Sequence, residues 1–442
     1  GIAQVEKWQG KPVFLEEFFE LELPHRELKD IYIPLDESNY VNNWYQNGGW
    51  GYDGDRVIIE DKLTEAALLA NETVLALASQ DGKEPYPEEK LVERWKRFMV
   101  LQNHDFSVAR NYRAVTEEGL VTEAGYYAVV EYQKLQDECH RETAEVLLAE
   151  KEEEKLTLVN TSGVGGKYTV EFTIPLASGE GLELFQDTRS VPYEIRSQDT
   201  GKVKGIAVVD LPAVGAATFD VKRGRDLPLA LPTTSAPGGA PKIETDEYEI
   251  SWQEGTWAID ILHKVSGSKV TFKGFTGPIA KQNEHSYLFP ALSPAHEKFS
   301  FSFDGTVHSP DQISDMEGYV EETGPVSSTL CVRSDLLTLH TTETPVAFAE
   351  ARVSVNHVTG QITCDSHLYA GVYLGLQCYA HFEHNLPDAR YYRDFPLGEE
   401  ETQIQAIYPN TYIRVAGKDH GFTLVHPGVQ RAYVDRCPEG GL

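Results

Sequence analysis

The period of the hydrophobic pattern changes once along this chain, near residue 150, and the change limits what each part can build. In "DKLTEAALLANETVLALAS" (61–79), Leu63, Ala66, Ala67, Ala70, Val74, Leu77 and Ala78 fall on one helical face. In "KYTVEFTI" (167–174), Tyr168, Val170, Phe172 and Ile174 alternate with polar residues, as a half-buried antiparallel strand requires. A second helical stripe, Leu91, Trp95, Phe98, Met99 and Gln102, follows the break "DGKEPYPEE". A third runs from about Glu117 to Glu142 with Val121, Ala124, Ala128, Tyr132, Leu135 and Cys139 in line. Three long helices joined by short breaks make a bundle.

Beyond residue 150 short strands and turn signals continue to about Arg225, and "LPLALPTTSAPGGAPK" then reads as a linker. From Ile243 onward the pattern is strands and turns again, about 200 residues, enough for a large sandwich of two antiparallel sheets. The expected architecture is multidomain and mainly β. It comprises an entry segment (1–55), a three-helix bundle (56–150), a small β domain (151–230) and a large antiparallel β-sandwich (243–442). At 442 residues, more than one core is required.

A net charge of −30 repels phosphate backbones and anionic bilayers, so neither nucleic acid nor a membrane surface is an expected partner. No apolar run approaches the roughly 18 residues of a membrane span. Five scattered cysteines without a C-x-x-C pair argue against a disulfide framework and for a reducing compartment, the cytoplasm. The sequons at Asn71 and Asn160 are about what chance supplies. The opening "GIAQVEKWQG" has neither Met nor a signal-like segment and reads as cut from something longer. Self-association into a homo-oligomer stays open.

"RFMVLQNHDFSVARNY" (97–112) ends the second helical stripe in a His104–Asp105 pair. A His-Asp pair at a helix end ordinarily caps or packs. If the helix continues that far, His104 lies half a turn from Trp95 and points away from the bundle core. Val100 and Leu101 share its side, so this helix end is apolar on two faces and calls for further protein over it.

The order of parts around the pair adds to this. A "GWGYDGD" entry loop, a bundle carrying Q-x-H-D, a β domain opening "LVNTSG" and a C-terminal sandwich together resemble the non-barrel half of glycoside hydrolase family 38, the α-mannosidases. "PYEIRSQDTGK", "VVDLPAVGAATFDV", "EHNLPDARYYRDFPLG" and "GFTLVHPG" are further echoes, each short. The resemblance implies a sandwich of the galactose-mutarotase type. It also implies an N-terminal catalytic α/β domain, missing here, that supplies the carboxylate nucleophile, the general acid and most ligands of one zinc ion. By the same resemblance His104 is a zinc ligand and Asp105 a substrate contact, in a retaining enzyme of mannose-containing oligosaccharides. "FSVARNY" lacks the small Gly/Thr residues that many family members carry after the pair. The alternative from another class is a non-catalytic carbohydrate-binding or scaffolding protein that kept the sandwich.

Among other constellations, Trp44, Tyr45, Trp50 and Tyr52 with Asn42 and Asn43 suit a sugar platform, with Trp44 and Trp50 as the stacking candidates, or a loop pinned by buried aromatics. "CDSHLYAGVYLGLQCYAHFEH" (364–384) sets Asp365 and His367 on one strand face and His381 and His384 on opposite faces. Satisfied strand residues explain that stretch more simply than a metal site. A lyase or mutarotase built on the sandwich would need one of these histidines beside a carboxylate on a concave sheet face.

Overall fold

A computed structural model describes residues 54–80, 85–102, 113–115, 121–147, 154–234, 241–276, 314–336, 347–370, 379–395, 398–402, 406–407, 411–426 and 432–433. Among the described residues the chain is mainly β: three helices, with one short two-stranded sheet between the second and third, precede a succession of antiparallel sheets, and no helix follows Leu147.

The helices are α1 (Gly54–Gln80), α2 (Glu88–Leu101) and α3 (Ala124–Leu147). The third helix starts later than its stripe suggests. Val121–Glu123 is instead a short strand paired with Arg113–Val115. The β-branched Val121 and Thr122 suit a pleated strand better than a first helical turn.

Both leading helices are turned relative to their most apolar faces. On α1 the buried set is Val57, Thr64, Ala67, Leu68, Asn71, Val74, Leu75 and Ala78, while Leu63 and Leu77 are exposed. On α2, Leu91, Arg94, Phe98 and Leu101 are buried, and Met99 is 57% exposed. Hydropathy alone places Thr64, Asn71 and Arg94 outside. They lie inside because the bundle offers each of them partners: the Thr64 hydroxyl accepts from Gln136 of α3 at 2.9 Å, and those of Asn71 and Arg94 are described below.

The next unit packs two small sheets face to face. Lys155–Asn160, Gly215–Gly224, Gly181–Gln186 and Arg189–Ser190 form one; Gly166–Pro175, Lys202–Leu211 and Tyr193–Asp199 form the other. Phe172, Ile174, Leu182, Leu184, Ile195 and Phe219 fill the space between. The alternation read in "KYTVEFTI" is the one observed: Phe172 and Ile174 are buried, with Tyr168 and Val170 half-buried on the same side. Both sequon asparagines are interior. Asn71 has no exposed surface, and the Asn160 amide donates to the carbonyls of Val164 (2.7 Å) and Pro212 (2.8 Å).

The segment that reads as a linker is firmly held where it is described. Leu182 and Ile195 donate backbone N–H groups to the carbonyls of Pro228 and Ala230, and Thr233 exchanges backbone bonds with Thr323. Proline and glycine content signalled irregular backbone correctly; it carries no information about tethering.

The last unit has a five-stranded sheet (Lys242–Glu244, Tyr248–Trp252, Ala258–His263, Lys269–Thr276, Tyr379–His384). Against it lies a four-stranded one (Ser314–Thr323, Ser327–Leu336, Ala347–Asn356, Ile362–Ala370). Ile250, Ile259 and Phe272 meet Leu330, Val332 and Val353 in the core between them. At Gly274 a Cβ would stand 2.2 Å from that of Ala351, so the two sheets touch there through their smallest residues. A third sheet of four strands (Gly398–Thr402, Arg390–Phe395, Tyr412–Ala416, Gly421–Val425) extends the expected two-sheet sandwich. Its own small core holds Ile413 and Val415, with Phe382 and Phe422 against them.

Candidate functional site

Four residues singled out by sequence, His104, Asp105, Trp44 and Trp50, lie outside the described residues. What is described is the frame that leads to the His104–Asp105 pair, the end of α2.

That helix stops at Leu101, with Gln102 as its C-cap and the Gln102 N–H on the carbonyl of Phe98 at 3.1 Å. Leu101 therefore does not share an outer face with Val100. It packs into the bundle beside Phe98, Tyr132 and Leu135, whereas Val100 is 58% exposed. The outward apolar surface of α2 consists of Val92, Met99 and Val100.

Polar contacts from both neighbours hold α2 at two levels. At the lower one Arg94, 4% exposed, donates to the side-chain oxygen of Asn71 on α1 at 2.7 Å and pairs with Glu142 on α3. The Asn71 amide donates onward to the Cys139 carbonyl (3.3 Å) and the Thr143 hydroxyl (3.1 Å), and Lys90 closes on Glu142. No charge is buried alone, which is what allows an arginine inside a small bundle. Burial opposes ionisation of Glu142, but Lys90 and Arg94 outweigh it and hold the carboxyl below its usual range.

At the upper level Asp61 of α1 accepts the Tyr132 hydroxyl of α3 at 3.0 Å and a side-chain hydrogen bond from Gln102. Burial raises the pKa of this carboxyl despite both bonds. Beside it Glu60 accepts from Gln133 (2.8 Å) and Gln136 (2.9 Å).

The histidine-rich stretch of the sandwich resolves into separate pairs. Cross-strand register sets His367 opposite Glu350 and Asp365 opposite Arg352, all four on the sheet face away from the core. A His/carboxylate pair thus exists, but Glu350 is already bound to Arg352 at 2.6 Å. His384 is buried with its Nε2 3.0 Å from the Tyr391 hydroxyl, and burial pulls its pKa down, His381 adding to the effect. His426 is pulled down to about 4 by burial; Asp394 opposes the shift and Lys62 reinforces it. Among the described residues no group of three or more His, Cys, Asp or Glu side chains is placed to hold a metal ion. The described part of the chain therefore does not fit a zinc centre by itself.

Three cysteines are described, all free: Cys139, Cys331 and Cys364. Burial pushes all three thiols up, Cys331 to about 11 and Cys364 to about 12. The reactive thiolate is thus nearly unpopulated at neutral pH. In the native protein a thiol-specific disulfide reagent should leave the Cys139 and Cys331 peptides unlabelled for hours and label them at once in denaturant, as read by mass spectrometry, with Cys364, only partly buried, labelling ahead of them. Fast native labelling at Cys331 would contradict the burial seen here.

Sequence reasoning missed one further constellation. Glu194, with no exposed surface, accepts the backbone N–H groups of Val326 and Ser327 at 3.1 Å each. Arg196 lies 3.2 Å from the same carboxylate and also reaches Glu322 and the Ser327 hydroxyl. These contacts join the small β unit to the sandwich. The only sequence trace is "YEI", where tyrosine and isoleucine flank a glutamate in a strand buried on both faces.

No protein-family model matches the chain, and no curated protein matches it in sequence. Its fold is similar to the crystal structure of a protein in glycosyl hydrolase family 38 from Enterococcus faecalis, with a TM-score of 0.58. The match covers 97% of this chain and 55% of that one at 12% identity. At such identity the likeness concerns fold, and this chain spans about half the length of that structure.

Proposed function

We propose that this chain is the C-terminal portion of a retaining, zinc-dependent α-mannosidase-like glycoside hydrolase acting on mannose-containing oligosaccharides. The observation that carries the reading is one of order. A helical bundle, a small β unit and a large sandwich follow one another in a single chain, and the family 38-like fold spans 97% of it. Retaining cleavage needs two carboxylates about 5–5.5 Å apart astride the anomeric carbon. In this reading an N-terminal catalytic domain supplies them along with most of the zinc ligands. His104 adds one ligand, Asp105 touches the sugar, and Trp44 and Trp50 offer it apolar faces. The exposed Val92, Met99 and Val100 on α2 support the presence of protein over that side of the bundle.

The chain by itself should hydrolyse nothing, because a catalytic zinc needs about three protein ligands to fix its geometry. An aryl α-mannoside assay on the 442-residue chain should give no turnover above buffer, while the protein extended by its N-terminal domain turns over. Activity in the chain alone would remove the case for a missing catalytic domain. An extended protein inert on every α-mannoside, yet retaining oligosaccharide in affinity electrophoresis, would favour the carbohydrate-binding alternative.

A further inference from the structure

The second helix is not oriented by its hydropathy. Its most apolar face contains Trp95, Phe98 and Met99, but the buried face is Leu91, Arg94, Phe98 and Leu101, about a sixth of a turn away at roughly 100° per residue. Left to apolar burial alone, α2 would turn to cover Met99, since a thioether chain gains more from leaving water than an arginine does. Two polar contacts oppose that turn. Arg94 is gripped by Asn71 and Glu142, from the helices on either side. Eight residues on, a little over two turns along, the C-cap residue Gln102 is tied to Asp61, which also holds Tyr132 of α3.

We propose that Arg94 and Asp61 are positioning residues: together they set the rotation of α2 and the direction in which its last turn delivers the residues that follow. A buried polar group selects register by leaving every other arrangement with an unsatisfied donor or acceptor. Rotating α2 takes the Arg94 fork off Asn71 and leaves Asn71, which has no exposed surface, without its charged donor. Losing Asp61 removes the acceptor that holds the Tyr132 hydroxyl at 3.0 Å inside the bundle, where Tyr132 has no exposed surface. The consequence for catalysis rests on the proposed function, because His104 follows Gln102 by two positions.

The rotation is tested on the 442-residue chain without reference to activity. Met99 is one of two methionines, and its peroxide oxidation can be followed against Met316, which packs against the sandwich core. Arg94→Ala should slow Met99 oxidation several-fold as α2 turns inward, with Met316 unchanged. Asp61→Ala should speed amide hydrogen exchange over Phe98–Gln102, and Asp61→Asn, which keeps one acceptor oxygen, should recover part of the original rate. Folded variants that keep the parent's Met99 oxidation and parent exchange rates overturn the proposal. So does failure of both alanine variants to fold, which would make the contacts sources of stability rather than of orientation. In the extended protein, Asp61→Ala should lower kcat more than it raises KM, again with partial rescue by asparagine. If the chain behaves as stated but the extended parent protein has no activity, the functional reading fails and the positioning role stands. Normal kcat in Asp61→Ala with faster exchange would overturn the catalytic consequence.

Discussion

Replacing Glu194 by alanine is expected to loosen the junction between the small β unit and the sandwich by about 3–5 kcal/mol, the usual cost of breaking a buried charged pair. The carboxylate is fully buried and accepts two backbone N–H groups, from Val326 and Ser327. Each donor left without an acceptor costs about 1–3 kcal/mol. Arg196 limits the damage, because it keeps Glu322 as a counter-charge and is itself partly exposed. Alanine cannot restore an acceptor, and it empties the space on which the turn at Gly324 rests. A Cβ there would stand 1.9 Å from the Glu194 carboxylate, so the turn already lies directly on it. Glu194→Gln should fall between, since its amide oxygen serves one N–H while its NH2 group faces the other. Hydrogen exchange at Val326 and Ser327 is the direct readout, with loss of protection in alanine and partial loss in glutamine. Unaltered protection in the alanine variant would show that the hairpin is held by something else.

This junction and the bundle share a lesson about what the sequence discloses. The change of period near residue 150 foretold helices before strands, and "KYTVEFTI" foretold which side chains face inward, because apolar burial is periodic and local. Asn71, Arg94 and Glu194 gave no such sign. Their burial depends on partners 23 to 133 positions away, and hydropathy assigns each of them to solvent. The apolar face of α1 was misplaced for the same reason: alanine and leucine nearly encircle that helix, so hydropathy cannot choose a side, and Asn71 does. The Pro/Gly-rich segment 226–242 is a different case. Proline and glycine report only that the backbone is irregular, whereas the bonds to Leu182, Ile195 and Thr323 depend on units folded elsewhere. The His104–Asp105 pair came from the order of motifs around it, and its place lies outside the described residues.

That pair leads to the other large expected effect, which rests on the function proposed above. In the protein extended by the N-terminal domain which that proposal requires, His104→Ala should lower the rate on an aryl α-mannoside by more than about 100-fold and deplete bound zinc. The reasoning starts from ligand count. A catalytic zinc keeps about three protein ligands and an open position, and removing one imidazole leaves the ion short of the set that offsets its dehydration. Loss of groups that merely orient such ligands already costs about 10–100-fold in affinity or activity, so loss of a ligand should exceed that. Asp105→Asn should behave differently. An amide can still hydrogen-bond a sugar hydroxyl but carries no charge, so zinc content should hold while kcat/KM falls. Metal analysis and the assay, run side by side on the two variants and the parent, separate the roles. Full zinc and full activity in His104→Ala would remove this residue from the metal site, and zinc loss in Asp105→Asn would make the aspartate a ligand as well. Full zinc with a lost rate in His104→Ala would leave the histidine a role at the sugar rather than at the metal.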